Sequence, residues 1–206
     1  MKRNIGSRLA LYPTPAVVVG AMVQDRVNWI MVAHVGIIGH DRVLVSMHKA
    51  HYTNQGVKAA GRLSINLVSE DMLVRADAAG CHSGATWDKS QLFAWTMGEA
   101  GTPVITMSPL TMECVVTDNY ETETFDNFIC SIAATLADEA FLDAQGRPDF
   151  ARIRPVLFEM PGYSYLRCGE RLGLCTRLGK DVPGKGVPDT AGTADTANRA
   201  GEGGRQ

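Results

Sequence analysis

Apolar and polar side chains alternate with a period of two through much of this chain, the pattern of strands that bury one face. From Thr14 to Val23 the residues Val17, Val19, Ala21 and Val23 share one side, behind Pro13 and Pro15. Gln24-Asp25-Arg26 turns the chain into a second apolar run, Val27 to Val35. Arg42 to His48 sets Val43, Val45 and Met47 against Leu44, Ser46 and His48, and Arg62 to Ser69 sends Leu63, Ile65 and Leu67 inward. Further strands are expected over Leu110 to Asn119, Thr124 to Leu136 and Val156 to Met160.

Helices enter as short inserts. Thr53 is placed to cap a helix that runs to about Ala60 and stops at Gly61, with Ser or Thr favoured before a helix and Gly after it. Ser69 is placed to cap Glu70 to Ala79 ahead of Gly80, and Thr86 to cap a third helix from Trp87 to about Met97. No repeat of solenoid or propeller period is present. Many strands with regular turn signals and brief helices predict a mainly β fold, a closed or nearly closed antiparallel barrel. A barrel of this size fills its interior with side chains, so a ligand belongs on its outside.

Composition breaks after Lys180. From Asp181 to Gln206 the chain is rich in Gly, Ala, Thr and Asp and has no aromatic residue. Such a segment buries too little apolar surface to offset its ordering entropy and is expected to be a disordered tail. Residues 1–180 of the 206 remain as one folded domain with a sizeable core.

A formal net charge of -2 leaves no footprint for nucleic acid or an anionic membrane surface, so any basic site is local. No apolar run is long enough to span a bilayer, and the first residues lack a secretory signal pattern. Cys81, Cys114, Cys130, Cys168 and Cys175 are odd in number and contain no CxxC pair. Reduced thiols in a cytoplasmic protein are the plain expectation. His48-x-x-His51 straddles a strand end without a third ligand, so no metal site is expected.

Candidate chemistry concentrates between Asn28 and Thr53. Asn28, Ser46 and His48 are polar residues in two strands that otherwise read as buried. Buried polar groups need partners, and a flat ring with a polar edge supplies them; a solvent-facing strand side is the plainer alternative. Trp29 or His34 would then lie near the ring plane. Thr53 and the amides of Asn54, Gln55 and Gly56 form a helix N-terminus suited to a phosphate, with Lys49 and His51 just upstream. The alternative is an ordinary surface cap. Ser83-Gly84-Ala85-Thr86-Trp87-Asp88-Lys89 puts a Lys in the first turn of an expected helix, where a cation is disfavoured unless an anion or Asp88 offsets it.

These pieces resemble the flavin reductase-like family of FMN-binding split barrels, particularly its flavoredoxin branch. The resemblance is carried by Asn28 with Met31, Val45-Ser46, Lys49 with Tyr52-Thr53, and Ser83-Gly84 with Asp88-Lys89. Arg171-Leu172-Gly173-Leu174-Cys175 with Gly179-Lys180 completes it. It implies a six-stranded antiparallel split β-barrel of Greek-key character, a homodimer with FMN near the subunit interface, and FMN-dependent oxidoreduction. Asn28 and the backbone of Trp29, Ile30, Met31 and Val32 would face the flavin ring, and Ser46 the ring or ribityl chain. Thr53 would hold the phosphate. Lys89 would approach from the side, with Lys89 or His48 stabilising the reduced ring. Met47, Tyr52 and Asp88 complete the expected set. Val32, His34 and Ser90 depart from the family pattern. Electrons would come from NAD(P)H or a partner protein and pass to an acceptor. An FMN electron carrier without a nicotinamide site, or a ligand-binding barrel that has lost its cofactor, are the other readings.

Overall fold

The computed structural model describes residues 1–180; the expected tail, Asp181 to Gln206, lies outside them. One compact unit spans Met1–Glu170, and a second begins at Arg171. The described part of the second unit is a run of turns with Leu172, Leu174 and Leu178 exposed.

Twelve strands and three α-helices make up the first unit. In chain order they are β1 (Thr14–Pro15), β2 (Val17–Val23), β3 (Arg26–Val32), β4 (Val35–Ile37), β5 (Arg42–His48), α1 (Thr53–Ala60), β6 (Arg62–Leu67) and α2 (Leu73–Cys81). Then follow β7 (Trp95–Met97), β8 (Pro103–Ile105), β9 (Leu110–Glu121), β10 (Phe125–Ala137), α3 (Phe150–Ile153), β11 (Val156–Glu159) and β12 (Ser164–Arg167). Seven strands form one antiparallel sheet in the order β3-β2-β6-β9-β10-β5-β4. Its two edge strands are consecutive in the chain: β3 pairs with β2 and β4 pairs with β5, joined only by Ala33 and His34. One segment therefore belongs to both edges, and the sheet must curl to let it. Register shifts in the β9–β10 pairing after Ile129 and Ile132 add bend, as bulges do.

The alternation read from the sequence places the core. Val17, Val19, Ala21, Ile30, Val32, Val43, Val45, Met47, Leu63 and Ile65 fill the inside of the curl with Cys114, Phe128 and Cys130. The opposite face of β2 and β3 is also covered. Val18, Val27 and Trp29 pack there with Met72, Ala76 and Ala79 of the α2 region, Phe93, Ile105 and Val156. Each fully buried side chain of this kind contributes roughly 1.5–3 kcal/mol.

Polar groups stitch the second layer. Asn66 Nδ2 donates to the Val18 carbonyl and to Ser64 Oγ, while its Oδ1 accepts from the Ile105 amide at 2.9 Å and Thr111 Oγ1 at 2.8 Å. The fully buried Glu113 accepts from Thr102 Oγ1 at 2.7 Å and from the Ala100 amide, closing the β7–β8 hairpin loop.

Three expectations change. The helix expected from Trp87 to Met97 does not form: 83–92 is a series of isolated turns, and Trp95–Met97 is a strand paired with Pro103–Ile105. The second helix opens with a 3₁₀ turn at Glu70–Met72 and runs through Gly80 to Cys81. Gly80 stays helical and faces Met31 of β3, where even a Cβ would meet only ordinary contact at 3.4 Å. The first helix has the expected extent, with left-handed Gly61 at its C-cap, but Tyr52 and not Thr53 occupies the N-cap.

Helix α1 plugs one end of the curl with Val57. A Cβ on Gly56 would sit 2.2 Å from the Met22 carbonyl oxygen, so the helix touches backbone there. Helix propensity alone predicts that Gly56→Ala stabilises by about 1 kcal/mol. The packing predicts a loss of about 1–3 kcal/mol. A urea midpoint that falls supports this docking of α1; one that stays or rises contradicts it.

Candidate functional site

The turn after β5 delivers the chain directly into α1. The His51 amide donates to the His48 carbonyl, the Asn54 amide to His51 and the Gln55 amide to Tyr52. The Asn54 and Gln55 amides, expected to be free for an anion, are thus engaged, because the backbone at Tyr52 is already helical. Thr53 turns inward and is buried. Its Oγ1 accepts from Asn28 Nδ2 at 2.7 Å, tying α1 to β3. Asn54 Nδ2 bonds the His48 carbonyl and Asp126. Burial works to raise the Asp126 carboxyl, but hydrogen bonds from Lys58, Asn54 and Asn119 outweigh it and hold the group below its ordinary range.

Two crevices of about 270 Å³ each share the turn after β5: Tyr52 lines one and His51 the other. The polar one is lined by Arg26, Asn28, Tyr52, Trp87, Asp88 and Lys89, with Gly84 to Thr86 along its wall. A Cβ on Gly84 would lie 2.1 Å from Asn28 Oδ1 and 2.8 Å from the Tyr52 ring, so only glycine lets this loop pack so closely against both. The apolar crevice is lined by Met31 to His34, Ser46, His48, His51, Phe125, Phe158 and Met160. Four aromatic or imidazole contacts bracket it: His34 and His48 with Phe125 at 6.0 and 5.5 Å, and Tyr12 with His34 and Phe158 at 6.3 Å each.

Lys89 reaches into the second core. It is only 2% exposed, and its Nζ donates to the carbonyls of Trp29 at 2.9 Å and Ala79 at 2.7 Å. The second is a carbonyl near the C-terminus of α2, where a cation is favoured. An ammonium has three donors, so one remains. Burial brings the Lys89 pKa down to about 8. Its expected competitor, Asp88, is turned away. The Asp88 carboxylate accepts from the Ser90 amide, which holds it below its ordinary range, and stands 3.5 Å from Arg26. Burial, then His48, then Lys89 lower the His51 imidazole, and His51 Nδ1 is buried with no partner. The Lys89 cation thus lies close enough to disfavour a charge on His51, whose Nδ1 remains unpartnered.

The other expected residues divide by strand face. The side chains of Ile30, Val32 and Met47 fill the barrel interior, and Asn28 lies at the end of that face against α1. The Trp29 indole is fully buried in the second core, edge-on to Phe93, which corrects its expected place beside a ring; only its backbone reaches the site. Met31 is half-buried against Gly80 and Tyr165. Ser46 and His48 point outward as the alternation predicts, and Ser46 Oγ donates to Asn127 at 2.6 Å. Lys49 pairs with Glu121 at 3.0 Å, so its charge is largely spent there. Phe125, Phe158, Met160 and Arg26 were not expected. Arg26 sits in a turn signal; Phe125 and Phe158 come from strands distant in sequence, and Met160 from the turn after β11.

A flat ring with polar edges and an anionic tail matches this donor set: an apolar, aromatic slot beside a basic, glycine-lined one. Residues 9–158 match the Flavin reductase like domain family. The solved flavoredoxin from Methanosarcina acetivorans is 32% identical with a TM-score of 0.83, over 87% of this chain and 98% of that one. Flavoredoxin from Desulfovibrio vulgaris (Miyazaki F) is 31% identical with a TM-score of 0.81, over 87% of this chain and 100% of that one. An FMN-binding protein from Thermus thermophilus, 24% identical with a TM-score of 0.72 over 84% and 98% of the two chains, shares the fold. Curated proteins yield no match to the chain. With a continuous match from residue 9 to 158 on a curled antiparallel half-barrel, the chain belongs to the flavin reductase-like family.

Proposed function

We propose that this protein is an FMN-dependent oxidoreductase, with the flavin ring in the apolar crevice and the phosphate in the polar one. The observation that carries this reading is the pairing of the two crevices across His51–Tyr52, with opposite lining chemistry and comparable size. The family match and the names of the two flavoredoxins support it. When bound, the flavin supplies the redox chemistry; the protein binds, orients and tunes it.

The chain's own residues divide that work. Lys89 meets the phosphate side with its remaining N–H, and Gly84 lets backbone approach it. Thr53 acts at one remove, by fixing Asn28 at 2.7 Å. Ser46, His34 and His48 present polar groups to the ring edge, and Phe125 and Phe158 exclude water from its faces. The Lys89 ammonium adds positive potential that favours the anionic reduced state. NAD(P)H or a partner protein is the electron source in this reading. A homodimer belongs to it too: Leu11 and Ile37, 82% and 88% exposed on one chain, are apolar surface that a second subunit would cover. A cytoplasmic site is consistent with five cysteines that are all unpaired.

Titrating the protein with FMN and with riboflavin, followed by flavin fluorescence, tests the assignment. FMN should bind at least tenfold more tightly, which is about 1.4 kcal/mol for the phosphate contacts; equal affinities would remove the phosphate from the polar crevice. Anaerobic mixing of the FMN-loaded protein with NADH or NADPH then identifies the donor. Bleaching of the yellow colour marks a nicotinamide-dependent enzyme, and its persistence marks an electron carrier.

The Lys89 pKa near 8 gives a second expectation. Protonated Lys89 attracts the phosphate, so FMN affinity falls as pH rises from about 7 to 9. In Lys89→Met the affinity is lower at pH 7 and its decline over this range is lost. A wild-type affinity that stays flat across the same range would take Lys89 out of the phosphate site.

A further inference from the structure

The polar crevice has more room and more chemistry than a single phosphate uses. It measures about 270 Å³, whereas a phosphoryl group displaces roughly three waters of about 30 Å³ each. Lys89 brings one cation and Arg26 a second. Arg26 is 74% exposed, and among the described residues its partner is Asp88 at 3.5 Å. A pair so exposed holds neither side chain firmly, and the Ser90 amide keeps Asp88 in place without it. The remaining Arg26 N–H groups form a fork suited to phosphate oxygens. Two cations suit a diphosphate or one dianionic phosphate, so charge alone does not choose between them.

The aromatic rim does choose. Trp87 lines the same crevice and is 40% exposed, whereas Trp29 is fully buried and Trp95 half-buried. A turn pins its backbone: the Thr86 and Trp87 amides both donate to the Ser83 carbonyl, at 3.1 and 2.9 Å. The His82 ring supports the indole, with centroids 4.4 Å apart and planes inclined at 45°. Among the described residues no other ring packs on it. A fixed, half-exposed indole beside two cations is a platform for a base, since stacking on an aromatic side chain needs no matched hydrogen-bond pattern. Arg26, Trp87 and His82 have no part in holding the flavin ring or its first phosphate.

We propose that the polar crevice also accepts an adenine nucleotide joined to the flavin phosphate, so that this protein binds FAD as well as FMN. The second phosphate meets Arg26, and the adenine stacks on Trp87 with His82 behind it. The proposal rests on the flavin reading above, which gives the first phosphate to Lys89. It concerns binding alone: no bond is made or broken. A nicotinamide dinucleotide carries the same adenosine diphosphate group. To use this rim it would have to take the place of the flavin phosphate, which separates the two sources experimentally.

The test titrates the flavin-free protein with FMN, FAD and NADH by calorimetry. Stacking of one base is worth roughly 5- to 150-fold in affinity, and ordering the longer tail removes part of that. FAD should therefore bind about tenfold more tightly than FMN. Trp87→Ala should bring the FAD-to-FMN affinity ratio to about 1, and Arg26→Gln, a surface change, should lower it about threefold. A reading that needs no variant is the Trp87 indole N–H signal in ¹⁵N–¹H spectra, which should move further with FAD than with FMN. FAD binding no tighter than FMN, a ratio unchanged in Trp87→Ala, or an indole signal at the same place with both flavins overturns the proposal. NADH binding more tightly than FAD does so too, by giving the rim to the electron donor. FMN binding no tighter than riboflavin is a separate failure, which takes away the first phosphate and the adenine site with it.

Discussion

The arrangement depends on one segment, Arg26 to Ile37, serving both edges of the sheet. Its first part pairs with β2 and its last part with β5, and only Ala33 and His34 lie between. That continuity forces the curl, and the curl sends alternate side chains of β3 into the barrel and into the second core. A strand buried on both faces has no side-chain surface left for a ligand along most of its length. What remains is the place where it passes from one edge to the other. There half-buried Met31, Ala33 and His34, with the buried Val32, line the apolar crevice beside β5. The site is thus a consequence of how the sheet closes.

Burying Lys89 against carbonyls of the second core sets the electrostatics. Its pKa of about 8 in place of the ordinary 10.5 corresponds to a cost on the order of 3 kcal/mol for keeping the ammonium charged. The sign follows from the depressed value. The cost is carried in full below pH 8 and disappears as pH rises toward the unfolded pKa, so this group alone makes the fold relatively more stable in mild alkali. Two carbonyls offset part of it, one of them at the end of α2. A bound anion would offset more, which is why an otherwise expensive lysine is consistent with a ligand site and hard to account for as packing.

Much of the fold was legible because half-buried strands announce their faces. Arg42–His48 is found as expected, with Val43, Val45 and Met47 inside and Ser46 and His48 out. The strands Val35–Ile37, Pro103–Ile105 and Ser164–Arg167 were not, since three or four residues are too few to show a period. The helix expected after Thr86 failed for a tertiary reason. Lys89 is drawn inward to carbonyls of β3 and α2, and the chain then pairs as a hairpin. The site was half legible for the same reasons. Ser46, His48 and His34 show up as polar breaks in apolar strands. Phe125 and Phe158 become site residues only through pairing of β10 with β5 and of β11 with β1, contacts that no local spacing encodes.

Thr53 shows how a correct signal can carry a different meaning. A Thr before a helix ordinarily satisfies a free amide with its own hydroxyl. Here the preceding turn at His51 and Tyr52 is already helical and has satisfied those amides with its carbonyls. The hydroxyl is released to accept from Asn28 across the barrel end. Asn28 Oδ1 then packs directly on Gly84, since a Cβ there would come within 2.1 Å of it. Thr53, Asn28 and Gly84 therefore form a relay from the helix to the polar crevice. The helix thus reaches the candidate site through side-chain contacts, its first amides being already engaged.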